Sequence, residues 1–341
     1  MKKAHRLNEL DALRGIAALF VVLYHYINRY EALYGHEKKD FFLNFNFGHL
    51  GVQLFFIISG FVIFLSLSKG TTTKDFIVKR AIRLYPAYIL AVILTFGVSI
   101  IYALPERTVS FETFLVNLTM FQGFFFIPHV DGAYWTLTVE LFFYIFIGII
   151  FAVGLLKKIE YVSIAWLVFS FAIKVLSVLL NNEYIQAFDT LVITNFCHLF
   201  IAGIMFYQIK NNGKLIHHLI IFFCLLYQIG LNPNIESLIV AGFFFIFYLL
   251  IFGKLKFLDV KPLRFLGVIS FSLYLLHQNI GYTIIRIMES YGLVSEIYIV
   301  IPLTIIILLA SLLTYKIEKP IQKKLLDKYR QKKKSLQPSH L

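Results

Sequence analysis

Residues 48–68 read GHLGVQLFFIISGFVIFLSLS, a run without a single Lys, Arg, Asp or Glu. About 20 mostly apolar residues in a helix are enough to cross the hydrocarbon core of a bilayer. Similar runs recur up to about Ile317, and hydrophobic residues make up 59% of the 341, against about 45–50% in soluble domains. Because a water-soluble core cannot bury that much apolar surface, the sequence predicts an all-α, polytopic integral membrane bundle.

Ten such runs are predicted to be transmembrane helices. They lie near residues 12–30, 48–68, 84–103, 135–156, 161–180, 189–209, 215–231, 236–252, 264–286 and 294–316. Together they predict one membrane domain over residues 1–325, followed by a basic cytoplasmic tail over 326–341. The longest outer connection, about 104–134, is rich in Phe, so we expect it to pack against the membrane or dip into it.

The positions of Lys and Arg predict the orientation of the chain. One set of alternate loops, together with the tail, holds nearly all of these cations. Since positively charged loops stay in the cytoplasm, we expect an even number of spans and both termini cytoplasmic. The net charge of +13 therefore indicates topology and contact with anionic lipid, and no nucleic-acid partner is expected.

The two cysteines, Cys197 and Cys224, both fall inside apolar runs. Neither has the spacing of a metal site or of a disulfide framework. We therefore predict buried, inert thiols and no bound metal.

Ionisable residues inside membrane spans are costly, so each is a functional hypothesis. Arg14 and His25 are 11 residues apart on the first predicted helix, which places them on one face about 16 Å apart. Arg14 would lie near the cytoplasmic surface and His25 near the middle of the membrane. The structural alternative is a snorkelling arginine and a histidine hydrogen-bonded between helices.

A second arginine pair, Arg80 and Arg83, ends the cytoplasmic loop before the third predicted helix. On a helical segment the two side chains lie one turn apart and can bind one anion together. A cytosolic ligand carrying phosphate would fit this pair. The alternative is that both are ordinary positive-inside residues.

Further ionisable residues lie in the outer half of the predicted bundle. Glu140 follows Trp135 about one turn into a helix that enters from the outer face, and His277 ends the run Ser270 to His277 at a comparable depth. Lys174, in the fifth predicted helix, receives no role and is expected to snorkel or to pair with a carboxylate.

Several of these segments, taken in order, resemble the acyltransferase 3 family of bacterial membrane enzymes that O-acetylate lipopolysaccharide, exopolysaccharide or peptidoglycan. The resemblance spans about residues 8–320. Its motifs are Leu10–Ala18, the Arg-x10-His pair Arg14 and His25, Gly51–Phe61, Arg80-x-x-Arg83 with Leu84, Tyr85 and Pro86, Trp135–Glu140, Ser270–His277, and Tyr315 with Glu318 and Pro320.

The resemblance implies an O-acetyltransferase that takes an acyl group, usually acetyl, from cytosolic acyl-CoA to a hydroxyl of an envelope polysaccharide or lipid-linked glycan. His25 would be the general base, and Glu140 would orient it or receive its proton. His277 would assist the acceptor or the oxyanion. The implied donor-binding residues are Arg14, Arg80, Arg83 and Tyr85, and the implied acceptor-binding residues are Trp135, Ser272 and Tyr274.

Other functions remain open at this point. The same donor site would serve succinylation or acylation of a lipid or secondary metabolite, and intramembrane His, Glu and Arg also build proton-coupled transporters. Some relatives carry an added extracellular esterase-like domain, which this sequence lacks. Either the membrane domain transfers the group directly or a separate protein completes the transfer, and we expect direct transfer. The acceptor sugar, the acyl chain, a covalent acyl-enzyme and the oligomeric state, a homo-oligomer included, are not decided by the sequence.

Overall fold

The structure, a computed structural model, describes residues 7–35, 43–67 and 71–335. Within those ranges the chain is helical and contains no β-strand, which confirms the all-α prediction. In chain order the helices are α1 (Asn8–Tyr24), α2 (Tyr30–Tyr34), α3 (Gly51–Ser66), α4 (Thr73–Ile101), α5 (Phe111–Asn117), α6 (Trp135–Ala152), α7 (Ile159–Leu180), α8 (Glu183–Leu191), α9 (Cys197–Asn212), α10 (Leu215–Leu231), α11 (Ile235–Ile251), α12 (Lys261–Leu276), α13 (Gln278–Ser290), α14 (Val300–Leu312) and α15 (Lys319–Ser335). The turns His25–Arg29 and Leu313–Glu318 are π-helical.

Six helical stretches of the described chain are long and apolar enough to cross a membrane. They are Asn8–Tyr34, Asn46–Ser66, Thr73–Ile101, Gly132–Ala152, Leu155–Leu180 and Glu296–Ser335. Leu215–Leu231 and Ile235–Ile251 are shorter apolar helices. On α7, the side chains of Val168, Phe171, Val178 and Leu179 are more than half exposed. Such a surface is unfavourable in water and suits hydrocarbon, so the chain is a helical membrane protein.

Two of the predicted helices have different bounds in the structure. The third begins at Thr73 instead of near residue 84, because Thr72 and Asp75 cap its N-terminus reciprocally. The predicted helix 189–209 is instead divided between α8 and α9. Asn182 caps the start of α8, and Ile193, in the left-handed region at φ 52°, lies in the turn between the two helices.

Two further differences lie near the C-terminus. The predicted helix 264–286 is interrupted at His277, which separates α12 from α13. The last predicted helix continues through a π-turn into α15, so the predicted tail is helical as far as Ser335. Good helix formers such as Lys, Gln and Leu fill α15, with no Gly to end it. Residues 336–341 lie outside the described residues. So do six of the Lys and Arg residues whose positions predict the orientation of the chain, namely Lys2, Lys3, Arg6, Lys38, Lys39 and Lys69.

The chain forms two compact units, each assembled from separate segments. Unit one comprises the described residues of Met1–Arg29, Asn44–Thr71 and Trp135–Ser270. Unit two comprises those of Tyr30–Leu43, Thr72–Tyr134 and Phe271–Leu341.

Close helix crossings hold unit one together. A Cβ atom added at Gly60 of α3 would overlap the main-chain oxygen of Phe200, and one added at Gly203 of α9 would overlap that of Ile57. Small residues at such crossings let backbones approach in lipid, where van der Waals packing drives helix association.

In unit two, the connection between α4 and α6 lies along α4. Tyr85 and Tyr88, one turn apart, donate hydrogen bonds to the main-chain oxygens of Thr119 and Asn117, each at 2.7 Å. The buried Asn117 side chain in turn donates to the oxygen of Pro128 at 2.9 Å. This connection therefore packs beside α4, and its contact with the membrane stays a prediction.

Two minor predictions have structural outcomes in unit one. Lys174 pairs with Asp189 at 3.0 Å, which is the carboxylate pairing that the sequence left open. Cys197 and Cys224 are both buried and free, as predicted.

Candidate active site

The predicted site residues divide between the two units. Unit one holds Arg14, His25, Trp135 and Glu140, and unit two holds Arg80, Arg83, Tyr85, Ser272, Tyr274 and His277.

His25 begins the π-helical turn that continues α1. Its Nδ1–H donates to the main-chain oxygen of Val21 at 2.8 Å. Because a carbonyl oxygen only accepts, this contact places the proton of the neutral ring on Nδ1 and the lone pair on Nε2. Single π-turns occur frequently at functional sites. His25 is thus oriented by the backbone with Nε2 as its basic atom.

Arg14 forms an ion pair with Asp11 one turn earlier on α1, with Nη1 and Oδ1 3.3 Å apart. Both side chains are mostly buried, with 17% and 16% exposed. The guanidinium has five N–H donors, so this contact alone does not saturate it. Asp11 therefore offsets part of the charge of Arg14, a pairing that the spacing of Arg14 and His25 did not predict.

Glu140, on α6, is held by two hydroxyl groups of unit one. Ser59 Oγ donates to Oε1 at 3.0 Å, and the Tyr144 hydroxyl donates to the same oxygen. Hydrogen bonds to a carboxylate stabilise its charged form and offset part of the cost of burial.

Trp135 lies in an aromatic cluster at the start of α6. Its ring packs against Phe196 at 5.4 Å and edge-on against Phe56 at 6.4 Å between ring centroids. With 39% of the residue exposed, a role in acceptor binding stays a prediction beside this packing role.

In unit two, Arg80 and Arg83 lie within α4, seven and ten residues from its first residue, instead of in a loop. The Arg80 guanidinium lies over the Phe76 ring at 5.8 Å, and Arg83 is exposed. The pair is therefore presented on a regular helix, as anion binding by two arginines one turn apart requires. The hydroxyl of Tyr85 donates its hydrogen bond to the main-chain oxygen of Thr119.

His277 occupies the break between α12 and α13. Its Nδ1–H donates to the main-chain oxygen of Tyr274 at 2.7 Å, so the lone pair of the neutral ring is again on Nε2. The Tyr274 hydroxyl donates to the oxygen of Ala133 at 3.0 Å. The second histidine therefore has the same backbone-fixed tautomer as His25.

Ser272 belongs to a buried network around the second π-turn. Its Oγ accepts from Thr314 Oγ1 at 2.8 Å and donates to Glu318 Oε2 at 2.9 Å. Gln322 then donates to the other carboxylate oxygen of Glu318 at 3.0 Å. The hydroxyl of Ser272 is thus committed to holding Glu318.

Asp131 was missed by the sequence reasoning. It is 1% exposed and accepts main-chain hydrogen bonds from Asn279 at 3.0 Å and Ala133 at 2.9 Å. Burial raises the pKa of its carboxyl to about 6, although these bonds and Arg107 act in the opposite direction. The available signal was a carboxylate between apolar residues just before a membrane helix.

A polar pocket of about 350 Å³ lies beside Asp131. Its lining includes Arg107, Ser110, Thr113, His129 and Gly132. Gln122 Nε2 donates to Tyr88 and, at 3.0 Å, to His129 Nδ1, which leaves Nε2–H of His129 as a donor. Burial lowers the pKa of His129 and favours its neutral form.

No group of three or more His, Cys, Asp or Glu side chains that could hold a metal ion occurs in the described part of the chain.

In a comparison with known protein families, the acyltransferase 3 family, described as an acyltransferase domain, matches the chain. The match covers residues 7–316 of the chain. No solved structure matches the chain.

Three relatives illustrate the similarity. Nodulation protein 10 of Rhizobium leguminosarum bv. viciae is 30% identical over 41% of this chain and 43% of its own length. The O-acetyl transferase of Shigella phage Sf6 is 30% identical over 48% of this chain and 51% of its own. A putative O-acetyltransferase of Staphylococcus aureus (strain COL) is 25% identical over 94% of this chain and 58% of its own.

The chain thus spans about half the length of the curated relatives it matches. The family match covers most of the chain, from the first membrane helix to the second π-turn. It confirms the resemblance inferred from the motifs. The chain belongs to the acyltransferase 3 family.

Proposed function

We propose that this protein is an O-acetyltransferase that moves an acetyl group from cytosolic acetyl-CoA to a hydroxyl of a cell-envelope polysaccharide or lipid-linked glycan. The observation that carries this proposal is the imidazole of His25, held through Nδ1 by the Val21 carbonyl with Nε2 as its basic atom. A neutral imidazole in that state is well suited to deprotonate an alcohol near neutral pH.

In the proposed reaction, Nε2 of His25 removes the proton from the acceptor hydroxyl as its oxygen attacks the thioester carbonyl. The carbon–sulfur bond then breaks, coenzyme A leaves as the thiolate, and the acetyl ester forms. The proton taken by His25 returns to the thiolate or passes to another base.

Glu140 is the proposed second base. A triad-like role would place its carboxylate on Nδ1 of His25, but that atom is bonded to the Val21 oxygen. Binding to Nε2 would occupy the atom that must act as base. We therefore favour proton transfer to Glu140, whose hydroxyl partners Ser59 and Tyr144 are themselves exchangeable donors.

The donor would approach from the cytoplasm, with Arg14, Arg80 and Arg83 binding its phosphates. Guanidinium groups bind phosphate in a planar, two-pronged geometry. This role agrees with the proposed topology of ten membrane crossings, both termini cytoplasmic and a location in the bacterial inner membrane. The crossings and the cytoplasmic termini rest on the distribution of Lys and Arg, and the bacterial inner membrane rests on the resemblance to the family.

The acceptor sugar would enter the polar pocket lined by Arg107 and His129 in unit two. At about 350 Å³, the pocket falls at the lower end of the roughly 300–1,000 Å³ range of small-molecule sites. Asp131, which lies next to this pocket, accepts a hydrogen bond from the main-chain N–H of Asn279 in the first turn of α13, directly after His277. We therefore assign His277, with Tyr274, to the acceptor side of the reaction and propose direct transfer.

The test is an acetylation assay with the purified full-length protein in lipid nanodiscs. Acetyl-CoA labelled in the acetyl group would be supplied with envelope polysaccharide, and ester-linked label in the glycan would be counted. Succinyl-CoA in a parallel reaction tests the alternative acyl group. Uptake of saccharide into vesicles without consumption of thioester would instead identify a transporter and refute the proposal.

A further inference from the structure

Helix α15 lies antiparallel along the first turns of α4 in unit two. Gln322 Nε2 donates to the main-chain oxygen of Arg83 at 2.9 Å. About two and three turns further along α15, Tyr329 and Lys333 donate hydrogen bonds to the two carboxylate oxygens of Asp75 at 2.9 and 2.6 Å. These contacts fix both the direction and the rotation of α15 relative to the helix that carries the arginine pair.

The rotation decides which lysines of α15 lie beside α4. At about 100° per residue, Gln322, Tyr329 and Lys333 lie within about 40° of one another and define the face toward α4. On the same scale Lys319 and Lys323 lie about 60–100° to one side of that face, and Lys324 lies on the opposite face.

The same rotation applied to α4 places its arginines. If Asp75 marks the face toward α15, Arg83 and Arg80 lie about 80° and 140° from it in the same rotational sense. For two antiparallel helices that face each other, equal senses of rotation lead to the same side of the pair. Arg80, Arg83, Lys319 and Lys323 therefore share one side of the α4–α15 pair.

Their levels along the helix axes also agree. Gln322, which contacts Arg83, is within about 5 Å along the axis of both lysines, because each residue adds about 1.5 Å. Packed helices lie about 8–10 Å apart, a gap that long basic side chains can close around one ligand. Lys319 packs over the Tyr315 ring at 4.2 Å, whereas Lys323 is exposed.

We propose that Lys323 extends the donor site by binding the 3′-phosphate of acyl-CoA, next to the diphosphate held by Arg80 and Arg83. This inference rests on the proposed function. A phosphomonoester carries about 1.5–2 negative charges near neutral pH, so it calls for a cation beyond the pair that a diphosphate occupies. An anionic lipid headgroup presents the same phosphate chemistry, and the experiment must separate the two sources.

The experiment measures the affinities of coenzyme A and 3′-dephospho-coenzyme A for the full-length protein by titration calorimetry. Nanodiscs of zwitterionic lipid exclude competition by anionic headgroups. For Lys323→Ala we expect about a tenfold weaker affinity for coenzyme A, the loss of one charge-assisted contact, and an unchanged affinity for the dephospho compound. Lys324→Ala, the neighbouring lysine on the opposite face, is the control and should bind both ligands as the wild type does.

Each other result decides the question. If Lys323→Ala weakens the binding of both ligands equally, or of neither, Lys323 does not bind the 3′-phosphate. An unchanged affinity for both ligands assigns Lys323 to the phosphate of a lipid headgroup instead. If the wild-type protein binds neither coenzyme, the donor site of the proposed function is itself wrong. If the wild type binds both equally well, the proposed function stands and only the extension by α15 is refuted.

Discussion

The carboxylate of Asp131 accepts a hydrogen bond from the main-chain N–H of Asn279, with 3.0 Å between Oδ2 and N. A second N–H, from Ala133, lies 2.9 Å from the other oxygen. Within unit two, a single buried side chain therefore joins the turn at Asp131–Ala133 to the first turn of α13, directly after the break at His277. Substitutions that remove or neutralise the Asp131 carboxylate should therefore affect both segments.

The stability of the protein should depend on the titration of Asp131. Burial raises the pKa of its carboxyl from 3.8 to about 6, so the folded state binds this proton more tightly than the unfolded state. Its contribution is fully present below about pH 4 and is lost as the pH rises through about 6, by roughly 1 kcal/mol between pH 5 and pH 8. Asp131→Asn should reduce this dependence, measured as the difference in unfolding temperature between the two pH values.

The control is Asp259→Asn, which changes an exposed carboxylate of unit one. It should keep the pH dependence of the wild type. An Asp131→Asn protein that retains the full wild-type difference would contradict the assignment to Asp131.

Loss of the His25 imidazole should abolish chemistry and spare donor binding. General-base catalysis contributes about 10²–10⁴ in rate, so His25→Ala should lower kcat at least a hundredfold with little change in the affinity for coenzyme A. Acetyl transfer by purified protein measures the first quantity and calorimetry the second. His218→Ala, which removes an imidazole of the apolar helix α10 that contacts Tyr248, should retain activity. Equal activities of the two variants would contradict the catalytic role of His25.

Substitution of Glu140 distinguishes a proton acceptor from a packing residue. Glu140→Gln keeps the size of the side chain and its acceptor oxygen for Ser59 but removes the basic group. We expect kcat to fall at least tenfold and the unfolding temperature to change little. Glu183→Gln, at the exposed start of α8, is the matched control. A large loss of stability with normal kcat in the folded fraction would assign Glu140 to packing.

The crossing of α3 and α9 should tolerate no added methyl group. Gly203→Ala would drive a Cβ into the main-chain oxygen of Ile57, and overpacking of this kind costs about 1–3 kcal/mol or more. Thermal unfolding in detergent should show the loss. Gly242→Ala, where nothing lies within 4 Å of the added Cβ, should be neutral or slightly stabilising, so similar unfolding temperatures for both variants would contradict the crossing.

Part of the candidate site could be predicted because it follows from spacing along one helix. Arg14 and His25 share α1 and its continuation, and Arg80 and Arg83 are one turn apart on α4. The partners could not be predicted. Nothing in the spacing shows that Asp11 pairs with Arg14, that Ser272 holds Glu318, or that Asp131 caps the turn after His277, because these contacts depend on how the chain folds around each residue.

Apolar runs of about 20 residues without charge determined by themselves that this protein is helical and lies in a membrane, because a helix of that length satisfies its own backbone groups without water. The sequence also determined the family, through the order of its motifs along the chain. Tertiary structure alone decided where helices are interrupted, as at His277, and where they continue, as from α14 into α15. Hydropathy is a sum over side chains and carries no information about the carbonyl groups of Val21 and Tyr274, which set the tautomer of the neutral ring in the two histidines.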